Sequence, residues 1–139
     1  MIVDGHCHVW EHWPYQPPVP DAASRGRAEQ LLYEMDAQGV DRVIVICARI
    51  GDNAGNVDYA MDAAARHPGR LVVFPDLESK WLPDYQQPGA RDRLAQALAR
   101  WSFPGFTTYL TEEEDGSWLT GNEGLAFFTL AAERKLVAS

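Results

Sequence analysis

Apolar residues follow two rhythms along this chain. Short, largely β-branched or aromatic runs occupy residues 2–10, 43–48, 71–77 and 105–110. Between them, apolar residues recur at steps of three and four. The first kind of run predicts strands, the second helices with one buried stripe. The stripes are Ala28, Leu31, Leu32 and Met35; then Val57, Met61 and Ala64; then Leu94, Leu98 and Trp101; then Leu125, Phe128 and Ala132. Ser24 and Asn122 are placed to cap the first and fourth helices, and Pro88 to open the third. Gly39 and the Pro68-Gly69 pair stop the first two. The expected helices run from residue 24 to about 38, from about 57 to 67, from 88 to about 101 and from 122 to about 135. Residues 136–139 begin a fifth strand.

A strand followed by a helix, four times over, predicts an α/β fold with parallel strands and right-handed crossovers. The run at residues 43–48 is apolar throughout, as a strand covered on both faces must be. Connection lengths are unequal. Helix-to-strand links are about three residues long, whereas strand-to-helix links run to roughly eight to thirteen. The long loops therefore gather at the C-terminal ends of the strands, where α/β folds carry their sites. The whole of residues 1–139 is expected to form one segment of such a fold.

The first strand carries the chemistry. Residues 2–10 read Ile-Val-Asp-Gly-His-Cys-His-Val-Trp. On a regular strand His6 and His8 share a face, with Cys7 on the other. Two imidazoles side by side at a strand's C-terminal end suit a metal ion; the alternative is a polar strand rim. Asp4 has the same parity. It is expected to point with the histidines, either orienting one of them or filling a polar interior. His12 lies in the following loop, either reaching back to the pair or, the favoured reading, exposed. His67 falls at the opposite, helix-end face and is left out of the site. Arg49 directly follows the second strand, as a fork for a substrate carboxylate or as a surface arginine. Asp76 near the end of the third strand is expected to bind substrate or cap its loop. Tyr109 at the end of the fourth is expected to donate to substrate or fill the core. Trp10, Trp13 and Trp81 wall a pocket or simply pack. The acidic run at residues 112–115 is expected to be solvated charge and matches no EF-hand spacing.

Composition narrows the function. Twelve basic against twenty acidic residues give a formal charge of −8, which argues against nucleic acid or an anionic membrane as partner. At 46% hydrophobic residues the chain can build a core. No apolar run is long enough to span a bilayer, and no secretory leader is evident. Cys7 and Cys47 are both expected in buried strands as reduced thiols, which suits the cytoplasm.

These residues carry a resemblance. The stretch Val-Asp-Gly-His-Cys-His-Val-Trp at residues 3–10 resembles the first strand of the amidohydrolase superfamily. It is most similar to the amidohydrolase-related family, which includes 2-pyrone-4,6-dicarboxylate lactonases, other lactonases and metal-dependent decarboxylases. Residues 35–42, residues 56–70 and the Pro104-Gly105-Phe106 turn resemble later pieces of the same family. The resemblance implies about half of a TIM (β/α)8 barrel: four βα units and the start of a fifth strand. A whole barrel has about 250 residues. It further implies a metal-dependent hydrolase of small carboxylated molecules, with lactones among them; a decarboxylase is the alternative. His6 and His8 match the family's first-strand metal ligands, for zinc or alternatively manganese. The family's other ligands and its aspartate base come from the fifth strand onward, beyond this chain's complete strands. The chain is therefore expected to be the N-terminal half of a longer enzyme. The rival expectation is a non-catalytic half barrel that closes as a homo-oligomer.

Overall fold

The computed structural model describes residues 1–111 and 115–139. Glu112, Glu113 and Glu114, most of the acidic run, lie outside them. The described chain forms two compact units, residues 1–75 and 76–139.

In the first unit, β1 (Val3–Cys7), β2 (Arg42–Ile46) and β3 (Leu71–Phe74) form a parallel sheet in the order β1-β2-β3. The register of β2 on β3 is regular, from Val43 opposite Leu71 to Ile46 opposite Phe74. Helices α1 (Ala22–Arg25), α2 (Ala28–Gln38) and α3 (Asn56–Arg66) supply the crossovers. Val43, Val45, Ile46, Leu71, Val73 and Phe74 are buried, with Met35, Val57, Ala60 and Ala63 from the helices. A fully buried Val or Leu contributes about 1.5–3 kcal/mol, so each residue of this apolar face stabilises the unit measurably. Gly39 ends α2 at φ 66°, the left-handed cap expected of it, and the Val40 N–H returns to the Met35 carbonyl at 2.8 Å.

The second unit holds α4 (Ala90–Arg100), β4 (Gly105–Phe106), α5 (Ser117–Thr120), α6 (Asn122–Glu133) and β5 (Val137–Ala138). β4 pairs with β5 in parallel, and Asp76 forms an isolated parallel bridge with Thr107. Phe106, Phe127 and Leu94 are fully buried; the two phenylalanine rings meet edge to face at 5.2 Å.

Five βα-type strands in chain order agree with the predicted architecture. The loop asymmetry is also present: residues 39–41, 67–70, 101–104 and 134–136 link helix to strand, against 8–21, 47–55, 75–89 and 107–116 the other way. Several boundaries differ, for local reasons. The predicted helix at 24–38 breaks at Gly26 and Arg27. There the Gly26 carbonyl accepts the Trp10 N–H at 2.7 Å, and a Cβ on Gly26 would lie 3.4 Å from the Trp10 carbonyl oxygen. Ser24 consequently sits inside α1 and caps nothing. The third strand stops at Phe74, since Pro75 has no N–H to give. The helix predicted from Pro88 begins at Ala90 behind Gly89 (φ 93°). The fourth strand is only two residues long. Asn122 is the first residue of α6 and Gly121 its cap. The buried stripe of α6 is Gly124, Phe127, Leu130 and Ala131, one residue out of phase with the prediction, and Leu125 is exposed. A Cβ at Gly124 would collide with the Trp118 carbonyl oxygen, so α5 packs on that glycine and turns the helix.

Candidate metal site

β1 is an edge strand of its sheet, and its ladder to β2 is irregular. Asp4 pairs with Val43, but Cys7 pairs with Val45, so β1 holds one residue more than its partner between the two rungs. Such a bulge reverses the alternation of faces. Asp4 therefore does not point with His6 and His8, as simple parity predicts. It shares the face of Cys7, and both line a small cavity with Leu31, Met35 and Val43. One Asp4 carboxylate oxygen accepts the His6 N–H at 3.0 Å, and the other accepts the Cys7 thiol at 3.2 Å. These two donors hold the Asp4 carboxyl below its ordinary pKa. Cys7 is half-buried rather than buried, because its strand lies at the sheet edge. Burial, then the Asp4 carboxylate, pushes its thiol up to about 11. Cys47 is fully buried, as expected, just past the end of β2.

His6 and His8 meet. Their Nε2 atoms are 3.1 Å apart, with the rings nearly perpendicular at 82°. His6 is exposed and His8 half-buried. The His8 Nδ1 lies 2.7 Å from the Ile46 carbonyl oxygen. A carbonyl only accepts, so Nδ1 carries the proton and neutral His8 presents its Nε2 lone pair to His6. Burial lowers the pKa of His8; the bond to Ile46 opposes this, and His6 adds to it. The neutral, ligating form is thus favoured. Behind His8 the Trp10 ring stacks at 4.9 Å and 19°. Trp10 in turn meets Trp13 and Tyr15 edge to face, so these aromatics pack against one another beside the pair.

The separation of 3.1 Å is one that two metal–nitrogen bonds of about 2.0–2.1 Å can span. The backbone carbonyl behind His8 is the kind of partner that orients ligating imidazoles. The pair therefore fits two positions of a zinc site. Among the described residues, no three His, Cys, Asp or Glu side chains gather into a metal-holding group. His12 does not join: its ring is exposed, and its backbone N–H and C=O are tied to the Asn53 side chain at 3.1 and 2.9 Å. His67 caps the end of α3, in a helix-to-strand link, as expected.

The other candidates are placed as follows. Arg49 is half-buried in the loop after β2, and its Nε donates to the Ala54 carbonyl at 3.2 Å. Asp76 is fully buried past the end of β3, and the next residue's N–H donates to Thr107. Tyr109 lies beyond the short β4, half-buried, with its ring 4.6 Å from Trp81. Sequence reasoning missed Asn53 and Asn56. Both are buried and bridge backbone groups around the histidine segment. Their only signal was a pair of asparagines in the Gly/Asn/Asp loop before α3.

No protein-family model matches the sequence, and no curated protein matches it. Among solved structures the chain is similar to an amidohydrolase from Burkholderia multivorans, crystallised with bound zinc. The TM-score is 0.68 at 19% identity, over 99% of this chain and 48% of that one. The two share a fold. The chain spans about half the length of that relative, in accord with the expected α/β half of a TIM barrel. No helix among the described residues is long and apolar enough to cross a membrane.

Proposed function

We propose that this chain is the ligand-bearing N-terminal part of a metal-dependent hydrolase of the amidohydrolase-related type. Its substrate is a small carboxylated molecule, a lactone in the first instance. One observation carries the reading: the facing Nε2 atoms of His6 and His8, with His8 held in its ligating tautomer by Ile46. The shared fold with a zinc-containing amidohydrolase supports it. In this reading His6 and His8 hold the ion, zinc before manganese. Bound zinc supplies Lewis acidity toward a substrate carbonyl oxygen. Arg49, in the loop that follows β2, grips the substrate carboxylate. Trp10, stacked behind His8, excludes water from the ring's inner side. By the resemblance, the remaining ligands and the base belong to later strands of such a barrel.

The test is metal binding. Purified metal-free protein in equilibrium dialysis against zinc should bind it above the buffer level, measured by elemental mass spectrometry. His6→Ala and His8→Ala should each lose it while keeping the wild-type circular dichroism. Binding unchanged in both variants defeats the assignment.

A second reading rests on the exposed edge. Met1, Ile2 and Val3 are exposed apolar residues leading into or forming edge strand β1. In this reading a second copy covers that edge and the chain works as a homo-oligomer. Sedimentation decides: a monomer at all accessible concentrations removes it.

A further inference from the structure

Past Cys7 and Val45, β1 and β2 no longer pair backbone to backbone. Side chains bridge their extensions instead. His8 reaches the Ile46 carbonyl at 2.7 Å. The Asn56 amide then spans the gap: its nitrogen donates to the Val9 carbonyl at 2.6 Å, and its oxygen accepts the Ala48 N–H at 2.9 Å. Trp10 Nε1 closes the series on the Ala48 carbonyl at 3.0 Å. Val9, Ala48 and Asn56 are all buried, at 1%, 1% and 2% exposure. The amide's orientation is unambiguous, because Val9 can only accept and Ala48 can only donate there.

We infer that Asn56 is a positioning residue for the histidine pair. Its carboxamide takes the place of ladder bonds and holds the two strand ends one side chain apart. That spacing sets the backbone on either side of His8, so that the ring meets Ile46 through Nδ1 and turns Nε2 toward His6. Remove the amide, and a buried donor and a buried acceptor face each other unpaired. The strands then shift to satisfy them, and the His8–Ile46 bond is lost. Asn56 touches neither the imidazoles nor any ion; it acts through the backbone of Val9. The zinc part of this inference rests on the reading of His6 and His8 as ligands, while the tautomer part does not.

The experiment reads both. Long-range proton–nitrogen correlation spectra of metal-free, nitrogen-15-labelled protein at pH 8.5 should show His8 of the wild type as a single Nδ1–H tautomer. In Asn56→Ala it should become a mixture, and zinc affinity in competition with a chromophoric chelator should fall about 10- to 100-fold. Val57→Ala, a cavity at the neighbouring fully buried position, should lower the melting temperature and leave the His8 tautomer unchanged. If Asn56→Ala does not fold, Asn56→Asp serves. It keeps an acceptor for Ala48 and loses the donor to Val9, and the same tautomer mixing is expected. A folded variant with an unchanged His8 tautomer overturns the inference. A tautomer shift in a protein whose wild type binds no zinc upholds it and removes the metal reading.

Discussion

The Cys7 thiol donates to the Asp4 carboxylate at 3.2 Å across the bulge of β1. Burial and that carboxylate together raise the thiol to about 11. Thiolate is the reactive species, so Cys7 should alkylate slowly at pH 8 despite its partial exposure. In metal-free protein, Asp4→Asn should bring the pKa down and speed iodoacetamide labelling several-fold, read by mass spectrometry. The sign for stability follows. The folded pKa lies above the unfolded one, so the stabilisation is complete below the ordinary thiol range and is lost as pH rises towards 11. An equal labelling rate in both proteins refutes the coupling.

Glu123, one residue into α6, caps a helix that is not its own. Its Oε2 accepts the N–H groups of Gly89 at 2.9 Å and Ala90 at 3.2 Å, at the start of α4. Those are donors that the helix leaves without intrahelical partners. Glu123→Ala should cost about 1 kcal/mol, the usual worth of a lost cap. Glu123→Gln, which keeps an acceptor, should cost less. Urea denaturation of the three proteins measures the difference.

Glu78 and Arg93 form a largely buried ion pair at 2.7 Å, with Glu78's side chain only 2% exposed. The second Glu78 oxygen accepts the Gln86 N–H at 2.9 Å, while Arg93 also donates to the carbonyls of Gln87 and Pro88. The pair thus clasps the loop before α4. Arg93→Met leaves a buried carboxylate facing no cation at that distance and should cost about 3–5 kcal/mol. A melting temperature within a degree of wild type contradicts this.

Two glycines should respond oppositely to the same methyl group. At Gly124 a Cβ meets the Trp118 backbone, so Gly124→Ala should separate α5 from α6 and lower the melting temperature by many degrees. At Gly5 nothing lies within 4 Å of an added Cβ, and Gly5→Ala should change stability by less than about 1 kcal/mol. Equal melting temperatures for the two variants would remove the packing account of α6.

What was legible in the sequence was whatever depends on near neighbours. The periodicities located five strands and the main helices, and the link lengths showed which ends of the strands carry the long loops. The spacing of His6 and His8 was enough to bring them together. What escaped depends on distant partners. The break between α1 and α2 comes from Trp10 against Gly26, and the rotation of α6 from Trp118 against Gly124. The face of Asp4 is set by an extra residue in β1, which only the pairing with β2 reveals. Asn56 looked like one polar residue in a polar loop; its role requires the end of β1, remote from it in sequence, to lie beside the end of β2.

The bridging amide of Asn56 also makes one dimension of the histidine segment adjustable. Where two strands pair through their backbones, their spacing is the same whatever the side chains. Where a side chain spans them, its length is the ruler. A shorter serine or a longer glutamine at position 56 would reset the gap between the ends of β1 and β2, and with it the reach of His8 to Ile46, without altering either imidazole.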